Sequence, residues 1–194
     1  MNWLAHAFLS PEAGYFRLGN LLADLVRGAD RLQMSEAFRR GAACHQHIDL
    51  FTDAHEIVRR SRERIAPVNR RFAGILVDIF YDHFLARNWR HYCNETLRHF
   101  TNDVYADLRV IQPSLRGEAS EVVERMIEED RLASYETVDG IAAALHRLSA
   151  RFVARRGRSF DIASAVRDLV DQHVELASDF ASFFPELQRF LHES

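Results

Sequence analysis

The sequence predicts an all-α protein. Glycine and proline are scarce, at 8 and 4 of 194 residues, and alternating apolar-polar stretches of the kind that make strands are hard to find. Apolar residues instead recur at three- and four-residue spacing along most of the chain. The length suits one domain, and no repeat, low-complexity segment or linker divides it. We therefore expect a single-domain helical bundle over residues 1–194, with its chemistry concentrated in residues 1–90, because seven of the ten histidines fall in the first 100 residues.

The first helix is expected over about 2–10, with Asn2 and His6 one turn apart and Ser10-Pro11-Glu12 breaking it. A second, about 15–27, carries Asn20, Asp24 and Arg27 on a polar stripe opposite Leu18, Leu21, Leu22 and Leu25, and Gly28 is expected to close it. Asp24 is open to two readings, an i,i+3 ion pair with Arg27 or part of a site. The third helix, about 35–51 behind an N-cap at Ser35, holds His45-Gln-His-Ile-Asp49-Leu-Phe-Thr-Asp53. On a helical wheel His45, Asp49 and Asp53 lie within about 80° of one another. Phe38, Gly41, Ala42 and Ile48 flank the first two, which puts an imidazole and a carboxylate on the face due for burial, while His47 points to solvent. A buried carboxylate without a cation costs several kcal/mol or more. Asp53 is less securely placed, since Thr52-Asp53 also reads as the cap of the next helix.

An arginine-dense helix follows, with Arg59, Arg60, Arg62 and Arg64 and then Arg70 and Arg71; it reads either as a solvated face interleaved with Glu56 and Glu63 or as a docking patch for an acidic partner. The fifth segment, about 72–86, is apolar all round and so central. Asp78, Asp82 and His83 interrupt it, and two carboxylates one turn apart on a buried helix require a nearby cation, from arginine or from a metal shared with His45 and Asp49. Scaffold helices are expected over about 94–111, 118–132, 137–153 and 160–180, with a short one after Pro185 and a loop at Arg155-Arg156-Gly157-Arg158. Asp168, Asp171, Glu175 and Asp179 repeat at helical spacing opposite Ile162, Val166, Leu169, Ala177 and Phe180, which predicts a solvated acidic face. His173, on the apolar side, reads as a core histidine.

Composition excludes several functions. A net charge of −3 argues against a general nucleic-acid binder. All 25 basic residues are arginine, so no catalytic lysine exists, and Cys44 and Cys93 fit neither a zinc spacing nor a disulfide framework. No apolar run approaches the ~20 residues of a membrane span, and without a signal-peptide pattern the expected location is the cytoplasm. Gly-rich phosphate loops, nucleophile elbows and Glu-x-x-His di-iron motifs are all missing from the sequence. Imidazole and carboxylate donors without thiolates suit Mn²⁺, Mg²⁺ or Fe²⁺, and metal-assisted phosphoester hydrolysis is the chemistry that remains.

Four blocks, MNWLAHAFLS (1–10), GNLLADLVRG (19–28), HQHIDLFTD (45–53) and DIFYDHFLARNW (78–89), resemble in order and spacing the motif set of bacterial acyl carrier protein phosphodiesterases. The likeness continues more thinly through SYETVDGI (134–141) and DQHVELASDFASFFPEL (171–187). That family is similar to the helical HD-domain phosphohydrolases, which implies a related fold. The resemblance implies hydrolysis of the diester that joins 4′-phosphopantetheine to a serine of holo-acyl carrier protein, giving the apo-protein, with Mn²⁺ favoured. It singles out Asn2, His6, Asn20, Asp24, His45, Asp49, Asp53, Asp78, Asp82 and His83, and it adds weight to His173. The implied metal ligands come from His6, Asp24, His45, Asp49, Asp78 and Asp82. Asp24, Asp82 and His83 are then expected in the chemistry, His83 or a non-ligating aspartate relaying protons and Arg27 holding the phosphate. An acidic carrier protein also gives Arg59, Arg60, Arg62, Arg70 and Arg71 a docking purpose. The adjacent His-Asp pair of the HD superfamily is absent, because Asp82-His83 runs in reverse order, so its ligands do not map one to one. Two alternatives stay open at this level: an HD-like phosphohydrolase for a small nucleotide or other phosphoester, and a non-catalytic helical protein that binds carrier protein.

Overall fold

The computed structural model describes residues 1–156 and 161–193, and every regular element among them is helical. In chain order the α-helices are α1 (Trp3–Phe8), α2 (Tyr15–Leu22), α3 (Gly28–Gln33), α4 (Glu36–Ala54), α5 (Glu56–Arg64), α6 (Ala73–Arg87), α7 (Leu97–Ile111), α8 (Glu118–Glu128), α9 (Arg131–Ser134), α10 (Val138–Arg156), α11 (Ile162–Asp171) and α12 (His173–Glu193). Short 3₁₀ turns at Pro67–Phe72, Trp89–His91 and Gln112–Ser114 join some of them. Their buried side chains form one contiguous apolar cluster from Met1 to Leu187.

The apolar segment makes α6 the central helix, as its composition requires. Leu76, Val77, Phe80, Tyr81, Phe84 and Leu85 are fully buried, and α1, α5, α10 and α12 pack around it. α4 begins where expected: the Ser35 hydroxyl accepts the Phe38 N–H at 3.2 Å, a cap that contributes about 1 kcal/mol. Its most extensive partner is α2. The two helices approach backbone to backbone, because a Cβ at Gly19 would meet the Phe38 carbonyl oxygen at 2.0 Å and one at Gly41 the Phe16 carbonyl oxygen at 1.9 Å. Only glycine permits that approach, and it brings the Asn20 side of α2 against the His45 side of α4.

Several boundaries differ from expectation. The second helix ends at Leu22 instead of Arg27, because the Leu22 carbonyl accepts from both Leu25 and Val26 and turns buried Val26 back into the core. Gly28, at φ +55°, opens α3 instead of closing α2. Thr52 and Asp53 continue α4, and His55 caps α5 by accepting the Ile57 N–H. The 118–132 segment divides into α8 and α9 around Asp130, which adopts a left-handed φ of 47°. The 160–180 segment divides at Gln172, while α12 runs straight through Pro185. Ala181, whose carbonyl loses its helical donor to that proline, is exposed, so the deficit falls on the solvated side. α10 extends through Arg156, and the rest of the expected loop, Gly157 and Arg158, lies outside the described residues.

The acidic run on α11 and α12 is not uniformly solvated. Asp171 and Glu175 are exposed, but Asp168 and Asp179 are buried. Asp168 accepts from Asn69 Nδ2 at 2.8 Å. Asp179 accepts from Arg60 Nε at 2.9 Å, Arg64 Nε at 2.8 Å and the Ser61 hydroxyl at 2.8 Å. Burial raises the Asp179 carboxyl, but these donors outweigh it and hold it below the usual range. Arg60 and Arg64 therefore tie α5 to α12, and Arg62 pairs with Asp53. Of the arginines expected to dock a partner, Arg60 and Arg62 are thus engaged within the fold. Arg59, Arg70 and Arg71 are exposed, Arg70 donating to the Glu63 carbonyl and Arg71 lying 4.7 Å over the Phe72 ring.

Candidate metal centre

Three helices converge on one group of donors. His6 comes from α1, and His45 and Asp49 come from α4 one turn apart. The two imidazoles stack with centroids 3.9 Å apart and planes 18° from parallel. Asn20 of α2 fixes both rings from behind: its side-chain oxygen lies 2.9 Å from His6 Nδ1 and its backbone carbonyl 2.7 Å from His45 Nδ1. The Asn20 amide in turn donates to the His6 carbonyl and the Ser10 hydroxyl, so its orientation is fixed. With both Nδ1 atoms bound to oxygen, the two Nε2 atoms keep their lone pairs and point at Asp49. His6 Nε2 is 3.2 Å from Asp49 Oδ1 and His45 Nε2 is 3.1 Å from Oδ2.

Neither Nε2 forms a geometrically sound hydrogen bond, although both are buried. Buried polar atoms without partners are costly, and two imidazole nitrogens facing one carboxylate within 4.8 Å fit a divalent cation. The electrostatics agree. Burial pushes the His6 pKa down to about 4, which keeps the ring neutral and able to ligate. At Asp49 burial acts upward, but the carboxyl stays well below its usual range, and the Met1 α-ammonium 3.4 Å away helps to hold it there.

The other expected site residues distribute around this group. Asp24 stands at its rim, with Oδ2 3.8 Å from His45 Nε2 and Oδ1 accepting from Arg27 at 2.7 Å. The i,i+3 ion pair with Arg27 is therefore present, on a carboxylate that also borders the group. Asp78 reaches the group through the Met1 α-amino nitrogen, which lies 3.2 Å from Asp78 and 3.4 Å from Asp49. Burial raises the Asp78 carboxyl against that neighbouring positive charge. Asp82 turns to the start of α1, where its two oxygens accept the Leu4 and Ala5 N–H groups at 2.7 and 3.1 Å. Burial pushes its pKa up to about 7 against those two donors. His83 faces away: Nδ1 meets the Tyr135 carbonyl at 2.8 Å and the ring lies 6.1 Å from that of His173. Asp53 is exposed, on its ion pair with Arg62. A second triplet, Glu95, His99 and Asp103, is wholly exposed.

Asn20 is the residue whose role the sequence least disclosed, because its position on a polar stripe does not reveal that it clamps two rings from other helices. The glycines Gly19 and Gly41 carried a signal, as glycines inside helical segments, that a close helix crossing lay there. Beside the group, Asn2, Asp24 and Arg27 line a cleft of about 300 Å³ together with Trp3, Ile79, Leu148, Arg131, Arg147 and Arg151.

Fold and site together define an all-α protein with a convergent His–His–Asp group of the kind that takes a divalent metal. Residues 1–187 match the family model for acyl carrier protein phosphodiesterase. A protein of that name from Enterobacter sp. (strain 638) is 31% identical over 188 residues, covering 96% of this chain and 95% of the relative. One from Serratia proteamaculans is 30% identical over 190 residues, 97% of this chain and 96% of the relative. The likeness is denser to one from Photorhabdus laumondii, 43% over 89 residues, or 46% of this chain and 45% of that protein. No solved structure matches. The chain belongs to the acyl carrier protein phosphodiesterase family.

Proposed function

We propose that the protein is a metal-dependent phosphodiesterase that removes 4′-phosphopantetheine from the serine of holo-acyl carrier protein, acting as one domain in the cytoplasm. The observation that carries this reading is the pair of buried, unbonded imidazole nitrogens of His6 and His45 that converge on Asp49 at the end of an open cleft. The names of relatives that align over nearly the whole chain supply the substrate.

His6, His45 and Asp49 hold the cation in this proposal, with Asp24 and Asp78 beside them. Oxygen and nitrogen donors without sulfur suit Mn²⁺, Mg²⁺ or Fe²⁺, and the family resemblance favours Mn²⁺ among them. When bound, the metal supplies a Lewis acid that neutralises phosphodiester charge and acidifies water. Asp24, at the rim and exposed, is placed to take a proton from the attacking water. Arg27 offers a guanidinium to a phosphate oxygen at the same rim, at the expense of its bond to Asp24. Asp82 holds the His6 helix in place and acts through His6. The proton relay considered for His83 passes to Asp24, since His83 sets its Nδ1 on the Tyr135 carbonyl and its ring beside His173 instead of at the His6–His45–Asp49 group. Exposed Arg59, Arg70 and Arg71 remain as the surface that attracts an acidic protein.

The test is incubation of the purified protein with holo-acyl carrier protein and Mn²⁺, followed by intact mass. Loss of the phosphopantetheine mass, abolished by chelator, is expected. An unchanged holo mass across Mn²⁺, Mg²⁺ and Fe²⁺ would overturn the reading.

A further inference from the structure

The cleft beside the centre is built for more than a phosphate. Asp24 and Arg27 stand at the metal end. Beyond them the lining combines apolar side chains, Trp3, Ile79, Leu148 and Phe152 among them, with the polar Asn2, Tyr135, Arg131 and Arg147. Asn2 Nδ2 donates to the Tyr135 hydroxyl at 2.8 Å, which leaves the phenolic hydrogen as a donor and Asn2 Oδ1 as an acceptor. Arg131 and Arg147 approach the same carboxylate oxygen, Glu129 Oε2, at 2.9 and 3.4 Å, so that trio keeps one net positive charge. Arg27 and Arg151 are each neutralised, by Asp24 and Glu118.

We propose that this cleft holds the pantetheine arm of the substrate, an assignment that rests on the phosphodiesterase reading above. A bare fatty chain would leave the Tyr135 hydroxyl hydrogen, Asn2 Oδ1 and the surplus charge of the Arg131–Arg147–Glu129 trio desolvated and unmatched. A small nucleotide has no flexible apolar chain to set against Trp3, Ile79, Leu148 and Phe152. The pantetheine arm is a methylene chain interrupted by two amides, with a methyl-bearing stem next to its phosphate. Laid from the Asp24–Arg27 end, it has apolar side chains such as Trp3 and Leu148 for its methylenes and methyls, and Asn2, Tyr135, Arg131 and Arg147 for its amides. Arg131 and Arg147 share one Glu129 oxygen, which leaves guanidinium N–H groups to donate to the amide carbonyls. The cleft volume of about 300 Å³ is that of a small-ligand site.

The experiment compares binding of 4′-phosphopantetheine and of methyl phosphate to the Mn²⁺-loaded full chain by calorimetry, with holo-carrier hydrolysis followed by intact mass. Wild type should bind 4′-phosphopantetheine at least about tenfold more tightly than methyl phosphate. Leu148→Glu, which puts a charge among the apolar side chains, and Arg147→Gln should each reduce that preference several-fold and raise KM for holo-carrier protein. Methyl phosphate affinity should stay the same. Arg147 is partly exposed at the cleft edge, so its variant keeps the test alive if Leu148→Glu does not fold. An active wild type with no preference for the arm, or variants that retain both the preference and KM, would overturn the cleft assignment alone. A wild type that leaves holo-carrier protein intact would overturn the phosphodiesterase reading itself.

Discussion

The imidazoles of His6 and His45 lie face to face, 3.9 Å apart, and both take their orientation from Asn20. One bond uses the Asn20 side chain and the other its backbone, so mutation separates them. Asn20→Ala frees only the His6 ring and leaves the carbonyl that holds His45. Loss of a group that orients a ligating histidine lowers metal affinity by about 10- to 100-fold. Titration of Mn²⁺ by calorimetry should show a fall of that size, with His45→Ala falling further. Equal affinities in Asn20→Ala and wild type would remove Asn20 from the centre.

Asp82 differs from Asp78 and Asp49 in what it touches. Its two oxygens take the Leu4 and Ala5 N–H groups, work that a capping side chain does elsewhere and that Asn2 does not do here. Asp82→Ala strands two buried donors at the start of a six-residue helix, a loss of about 2–4 kcal/mol. Because α1 carries His6, activity should fall along with stability. A Tm lowered in proportion to lost turnover, measured by scanning calorimetry, is the expected pairing. An unchanged Tm with abolished turnover would instead place Asp82 in direct contact with the reaction.

The sequence made α4 and α6 legible because a single helix wheel contains their signal: polar groups on a face otherwise due for burial. The same wheel failed on α11 and α12. Asp168 and Asp179 sit opposite the apolar stripe of their own helices, yet they are covered by Asn69, Arg60 and Arg64 from elsewhere in the chain. A wheel shows which face is polar and not which polar face meets another helix. The glycine crossing of α2 and α4 explains the Asn20 clamp in the same way, since it depends on two helices together.

That buried clamp makes a stability prediction. Arg60→Ala and Arg64→Ala each remove a donor from Asp179, a carboxylate only 2% exposed, and each should lower Tm by several degrees. Arg59→Ala, on the exposed side of α5, should leave Tm unchanged within about 1 °C. If Arg59, Arg70 and Arg71 attract the carrier protein, reversing Arg59 and Arg70 to glutamate should instead slow association. The deficit should shrink as added salt shortens the Debye length below about 8 Å. Salt-independent kinetics would remove those residues from docking.

The His6 ring sets the acid limit of the metal-free protein. Its folded pKa of about 4 lies below the unfolded value of 6.5, so between these values the unfolded chain holds more protons. The stability contributed by neutral burial is therefore full above pH 6.5 and drains away as pH falls toward 4. The gap of two and a half units corresponds to roughly 3 kcal/mol over that window. Asp82 runs the other way: its folded pKa of about 7 exceeds the ordinary aspartate value of 3.8, so its contribution is full below pH 3.8 and is lost as pH rises to 7. Urea unfolding in the presence of chelator, repeated from pH 4 to 7, reads the sum, and His6→Gln isolates its first part. Wild-type stability minus that of His6→Gln should rise from pH 4 to 6.5 and then level off. A difference that stays flat across the window would mean that His6 is not held neutral by burial, and with it the case for a ligating Nε2 would fall.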